Sequence, residues 1–198
     1  MKGWMKSLAL ALTVAILFVS CAKQPTQEIN NAQTAIEAVI SEKGDIYAAD
    51  ELKKLNDDLQ AANDEIAAQS KKFFKKYGTA KEMLAKLVTD AEAVKALIPA
   101  RIEEAKNNAL TAQNEAKAAV DEAKAFLEKA PKGKGTKADI EAMKADLAAA
   151  ETALAEIQAA IDAEDFFGAG DKAVLIKDKA AAISEQVKAA IDKVKGRR

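Results

Sequence analysis

Three groups of residues have types and spacing that could do chemistry: Cys21 at the end of Leu17-Phe18-Val19-Ser20-Cys21, the run Lys71-Lys72-Phe73-Phe74-Lys75-Lys76-Tyr77, and Gly133-Lys134-Gly135-Thr136-Lys137. Cys21 is the only thiol and the chain has no His, so neither an intramolecular disulfide, a zinc site nor a Cys–His pair can form. The glycine-lysine run lacks a preceding strand and the full spacing of a phosphate loop. Acidic residues cluster at Asp57-Asp58 and at Asp162, Glu164 and Asp165, without the alternation of a calcium loop, and read as solvated helix faces. The few serines have no base beside them. These observations predict a protein with no catalytic residue, no cofactor and no metal.

Chemistry at Cys21 is therefore a matter of targeting. Met1 to Ser20 has a basic start at Lys2 and Lys6 and about a dozen apolar residues from Leu8 to Val19, the layout of a secretory signal. That run is shorter than the roughly 20 residues a bilayer-spanning helix needs. Leu17 to Cys21 resembles the lipobox of bacterial lipoproteins: Ser20 is the small residue at the cleavage position and Val19 is acceptable, while Phe18 stands where Leu is usual, with Leu17 one place early. The resemblance implies cleavage after Ser20, a diacylglycerol on the Cys21 sulfur and an acyl chain such as palmitate on its new amine. Ala22, where an Asp would retain the protein elsewhere, implies the outer membrane of a Gram-negative envelope, with the body in the periplasm. Several acyl chains at about 0.8 kcal/mol per buried methylene hold a protein firmly on a membrane. Removing residues 1–20 takes two lysines and no acid, leaving 28 basic and 31 acidic residues. A charge so small and mixed excludes electrostatic attraction to nucleic acid.

Lys71 to Tyr77 supports two readings. As a functional patch, its lysines and aromatics would meet an anionic lipid head group, a glycan acid or the acidic face of a partner. As plain structure, it is the end of a helix, with the lysines complementing the dipole, Phe73 and Tyr77 in the core and Phe74 beside it.

The elements that position these groups are all helical. Hydrophobic residues make up 49% of the chain, but Ala alone is about a quarter, so large core side chains are scarce. Aromatics are 5%, charged residues 31%, and Pro appears only three times, a composition of long amphipathic helices. A first helix is predicted from about Thr26 to Lys43, with the stripe Ile29, Ala32, Ile36 and Val39 and an end at Gly44. A second, capped by Asp50, carries Leu52, Leu55, Leu59, Ala62, Ile66 and Phe73 in a heptad. Gly78 should cap it in a left-handed conformation, and Thr79 with Glu82 should open the third. That third helix carries one stripe from Leu84 to Leu127, about 75 Å long, with a kink or break at Pro99. After the loop 131–137, Thr136 and Asp139 should cap a fourth helix with Ile140, Met143, Leu147, Leu154 and Ile161 on its stripe. Phe166 to Asp171 reads as a turn, with Asp171 capping a fifth helix through Leu175, Ile176, Ile183, Val187, Ile191 and Val194. Lys193, Lys195, Arg197 and Arg198 would complement its C-terminal dipole.

The spacing Leu52, Leu55, Leu59, Ile66 recurs as Ile140, Met143, Leu147, Leu154, and each set is followed by a Phe pair, Phe73-Phe74 or Phe166-Phe167, then Ala80 or Ala173. The chain thus reads as an all-α, elongated antiparallel bundle or coiled coil of about five helices, arranged as two tandem three-helix units sharing the long third helix. Its expected segments are a signal peptide (1–20), a lipidated Cys and tether (21–25), an N-terminal helical domain (26–130), the loop, and a C-terminal helical hairpin (138–198).

Gly44, Tyr47, Ala48, Leu52, Leu59 and Ala62, followed by Tyr77, Ala80 and Ala91, fit a pattern similar to that of a family of bacterial lipoprotein domains of unknown function: Gly-x-x-Tyr-Ala before a Leu/Ala-rich helix, then an aromatic, a turn and another helix. The resemblance covers about the first half of the mature chain and implies a helical envelope protein without catalytic residues. The expected role is that of a membrane-anchored structural or adaptor lipoprotein, held through acylated Cys21 and associating with itself or other proteins. The alternative is a periplasmic binding module holding a peptide, lipid or unfolded client in a groove between helices, a groove that Phe73, Phe74, Phe166 or Phe167 would line.

Overall fold

The computed structural model describes residues 23–130 and 137–195, with side chains described as far as Asp192. Ser20, Cys21 and Ala22, the loop 131–136 with Thr136, the side chains of Lys193, Val194 and Lys195, and residues 196–198 lie outside the described residues. Among the described residues there are six α-helices and no strand: α1 (Thr26–Ser41), α2 (Gly44–Tyr47), α3 (Ala49–Ser70), α4 (Gly78–Glu128), α5 (Lys137–Asp162) and α6 (Phe166–Lys195). None is long and apolar enough to cross a membrane. The bundle is all-α, and it divides into two compact units, one up to Pro99 and one from Ala100 onward. The division falls inside α4, the long helix that two tandem three-helix units are expected to share.

In the first unit, α1 and α4 run in the same direction, because Lys81 bonds Glu28 near their starts (2.6 Å) and Lys95 meets Glu42 fourteen residues later on each (3.5 Å). Short connections then require α3 to run opposite to both. Ala32, Ile36 and Val39 of α1, Leu52, Leu55, Ala62 and Ile66 of α3, and Leu84, Leu87, Ala91, Val94 and Ile98 of α4 form the core, as their periodicity predicts. The second unit repeats the arrangement. Gln113 donates to Gln158 (3.0 Å) and Lys124 to Glu151 (2.8 Å), so α4 and α5 are antiparallel. Glu115–Lys177 (2.7 Å) and Glu122–Lys188 (3.4 Å) make α4 and α6 parallel. Lys188 also stands 4.3 Å from the ring centre of Phe126.

The helix ends correct several expectations. α1 stops at Ser41, and the left-handed residue is Lys43 (φ 67°), with Gly44 opening α2 instead. Glycine is needed at 44 for space: a Cβ there would come within 2.5 Å of Val39 Cγ1 and 2.6 Å of its carbonyl oxygen. Ala48, not Asp50, precedes the first helical residue of α3, and Asp50 and Glu51 lie in its first turn, where they favour the dipole. α3 ends at Ser70, and Gly78 is the first residue of α4 rather than a left-handed cap, so Thr79 is inside the helix. α4 passes through Pro99 unbroken. Helix α5 includes Lys137, which the sequence assigned to the loop, and its buried face also includes Ala150, Ile157 and Ala160. Ile140, Met143 and Leu154 are half-buried. Phe166 to Asp171 is helical, not a turn.

The α5–α6 corner is tight. Glu164 takes the left-handed conformation (φ 58°), its N–H bonds the Ile161 carbonyl (3.0 Å), and the Asp165 N–H reaches back to Ala160 (2.9 Å), which is a Schellman motif. Asp165 then caps α6 by accepting the Gly168 N–H at Oδ1 (3.0 Å), displacing Asp171 from the role the sequence gave it. A Cβ on Gly168 would fall 2.2 Å from that carboxylate, so glycine there leaves room for the cap.

Candidate functional site

The two units share their buried positions more closely than the sequence repeat implied. Leu52, Leu55, Leu59, Ala62 and Ile66 of α3 correspond to Leu147, Ala150, Leu154, Ile157 and Ile161 of α5, with Leu59 and Leu154 the half-buried member of each set. Tyr77, Ala80, Leu84, Leu87, Ala91, Val94 and Ile98 correspond in the same way to Phe166, Ala169, Ala173, Ile176, Ala180, Ile183 and Val187, every one of them buried. Phe166 is therefore the counterpart of Tyr77, not of Phe73, and Leu52 that of Leu147, not of Ile140. Between the last buried residue of the middle helix and the first of the next lie ten residues in one unit, between Ile66 and Tyr77, and four in the other, between Ile161 and Phe166. The first unit's connection is six residues longer, and its non-helical part is Lys71-Lys72-Phe73-Phe74-Lys75-Lys76, which leads into Tyr77.

All six are exposed and form an irregular turn after α3, so the expectation that they continue the helix is corrected. Phe73 is 91% exposed and Phe74 63%, where the plain structural reading put Phe73 in the core with Phe74 beside it. The rings meet edge to face with centroids 5.0 Å apart. Off the helix, Lys71 and Lys75, or Lys72 and Lys76, no longer hold the spacing at which like charges on one helical face repel. Tyr77, which the sequence placed in the same patch, is 4% exposed and belongs to the core. Leaving a Phe side chain in water forgoes roughly 1.5–3 kcal/mol of burial, and this turn leaves two.

Position adds to the chemistry. The Glu28–Lys81 contact ties the first turn of α1 to the first turn of α4, so the chain enters the first unit at the end where Lys71–Lys76 project. Pro25 is fully buried at that end, and its carbonyl accepts the Ile29 N–H (3.1 Å), which fixes the point of departure of the preceding residues. The Lys81 ammonium, by hydrogen bonding, holds the Glu28 carboxyl below its ordinary range. Cys21 is four residues before Pro25, a span of at most about 14 Å when extended.

The second unit offers different surfaces. Phe167, Val174 and Leu175 of α6 are each more than half exposed and lie on one face of the helix. Between α5 and α6 runs a groove of about 380 Å³ with Ala149, Ala153, Leu175 and Ile176 in its lining and Asp146, Glu156, Lys172 and Lys179 among its polar neighbours. None of the four phenylalanines proposed to line a binding groove borders it; Phe166 is buried, and Phe73, Phe74 and Phe167 face outward. Among the described residues, no three acidic, Cys or His side chains are grouped so as to hold a metal ion. Sequence reasoning singled out the lysine–phenylalanine run by composition and missed the exposed row on α6, because helical spacing identifies a face without saying whether another element covers it.

Comparison of the chain with protein-family models, with curated proteins and with solved structures finds no match.

Proposed function

We propose that this chain is a non-catalytic envelope lipoprotein, acylated at Cys21 after cleavage behind Ser20, whose helical body acts as a structural or adaptor element through protein contacts. The observation that carries the adaptor role is the short row of Val174 and Leu175, neighbouring apolar side chains of α6 that are each more than half exposed. Such a row costs solubility unless another chain covers it. The resemblance of Leu17–Cys21 to a lipobox supports the anchor, and that of residues 32–66 and 77–94 to a family of lipoprotein domains supports the envelope setting. The test is cross-linking in cells through a photoreactive residue at position 174, with wild type compared to Cys21→Ser, alongside mass spectrometry of the N-terminal tryptic peptide. Adducts with the same chain or another envelope protein, lost or altered on release from the membrane, are expected. A body without adducts refutes the adaptor role, and an unmodified thiol refutes the anchor.

A second reading has its own observation, the groove between α5 and α6, whose volume of about 380 Å³ is that of a small-ligand site. An extended apolar peptide or a lipid chain suits its alanine-rich lining. Filling it with Ala153→Trp should abolish capture of a labelled apolar peptide while leaving the position-174 adducts intact.

A further inference from the structure

We propose that Lys71–Lys76 is a lipid-contacting loop that docks on the anionic surface of the bilayer to which the chain's N-terminal end is attached. The inference rests on the anchored reading above and adds a second, independent contact with the membrane.

Four observations converge on it. The loop is an addition to the repeated unit, since the corresponding α5–α6 corner reverses direction without it. It holds four lysines and no acid, so its charge is complementary to anionic head groups. Phe73 and Phe74 stand at its middle with their rings in solvent, flanked by two lysines on each side, so apolar rings enter the interface while the ammonium groups stay at head-group level. It projects at the end of the first unit where the chain from Cys21 enters, and four residues of tether hold that end within about 14 Å of an anchor at Cys21. At that distance the loop meets the bilayer at high effective concentration, and even a weak surface affinity keeps it docked. An acyl chain and a basic, apolar surface segment are the two signals that together give stable attachment. Docking by the loop would also set the direction in which the first unit leaves the membrane, which an acyl tether alone leaves free.

The test uses the full chain purified from membranes and reconstituted into vesicles of phosphatidylcholine alone or of equal parts phosphatidylcholine and phosphatidylglycerol, with brominated acyl chains. Phe74→Trp supplies the reporter, and the parent chain, whose only Trp is Trp4, supplies the blank. The expected result is a blue shift and bromine quenching of the position-74 emission in the anionic vesicles, lost when Lys71, Lys72, Lys75 and Lys76 are all replaced by Gln. Each lysine close to an anionic surface contributes about fivefold to partitioning, so the fourfold replacement should remove docking on the anionic vesicles, leaving the low quenching that the parent shows on phosphatidylcholine alone. Circular dichroism checks that the replacements, all at exposed positions, leave the helices intact. Protein that floats with the vesicles but shows no quenching overturns the loop's role and leaves the anchor standing. Protein that floats only on anionic vesicles, with quenching, supports the loop and removes the anchor, while protein that floats on neither overturns both. Loss of a protein cross-link on Lys→Gln replacement without any quenching in the parent would assign the loop to an acidic protein partner and refute the lipid contact.

Discussion

Excising Lys71–Lys76 should leave the fold intact and change its stability by no more than about 1 kcal/mol, because the second unit already makes the same reversal with six fewer residues. All six side chains are exposed, so the deletion removes no core area. Shortening the connection from ten intervening residues to four favours folding by about 0.8 kcal/mol in loop-closure entropy. Against this, the excised chain places Gln69 where Glu164 stands, in a left-handed conformation that costs a non-glycine residue roughly 1–2 kcal/mol. Ser70 falls on the position of Asp165 and is itself a competent N-cap. The two main terms nearly cancel. The sharper expectation is a reversal of sign at Gln69. In the native chain Gln69 is helical and donates to Glu65 (2.7 Å), so Gln69→Gly should destabilise by about 1 kcal/mol. In the excised chain the same substitution should stabilise by about that amount. Urea denaturation followed by far-ultraviolet circular dichroism, on chains beginning at Lys23, reads all four variants. A loss above about 3 kcal/mol on excision, or Gln69→Gly destabilising in both backgrounds, would refute the equivalence of the two corners.

Four further outcomes follow from individual contacts. Gly44→Ala should cost about 1–3 kcal/mol in the same denaturation assay, since its methyl group would overlap Val39 at both side chain and carbonyl. At position 164, Gly should be more stable than Ala by about 1 kcal/mol; both remove the side chain, so the difference isolates the left-handed backbone. Leu84→Ala should cost about 2–5 kcal/mol by opening a cavity at a fully buried site, although its counterpart Ala173 is native in the other unit, because the surroundings of each site are fitted to one residue. Glu28→Gln should flatten the fall in stability with acid. The folded Glu28 carboxyl titrates below its ordinary value of 4.5, so its contribution is present above that value and is lost as the pH drops through the folded one, which urea midpoints against pH will show.

The long stripes were legible because each repeats at helical spacing: Leu84, Leu87, Ala91, Val94 and Ile98 are buried as their spacing predicts. Alanine blurs the reading. Ala150 and Ala160 are buried while Ala149 and Ala159 are exposed, and only the register of neighbouring large residues tells them apart. The end of α3 was placed at Gly78 because no Gly or Pro stands between Ser70 and that residue, and Phe73 falls on a heptad position. The helix nevertheless ends where the next buried aromatic, Tyr77, must be delivered to α4, a constraint set by packing. Both left-handed residues, Lys43 and Glu164, escaped notice because neither is Gly or Asn, the residues by which such positions are recognised. The candidate loop was legible as a composition but not as a surface, since its exposure follows from where α3 stops.

The pairing of the two units also bears on why the loop exists. Leu55 and Leu84 of the first unit correspond to Ala150 and Ala173 of the second, whereas Ala62 corresponds to the larger Ile157. Volume removed at two matched positions is partly restored at a third, as interiors packed to constant density require. Positions are conserved between the units while residue sizes are exchanged, so the shared property is the three-helix geometry itself. Against that common geometry, the spacing from the middle helix to the next departs by six residues at one corner only. Those residues contribute nothing to either core and keep two phenylalanine rings in water, at a cost in solubility that the shorter corner avoids. A segment that folding does not require, and that solubility opposes, is explained by what it touches outside its own unit. Its four ammonium groups and paired rings, at the end where the tether arrives, match the interface of an anionic bilayer.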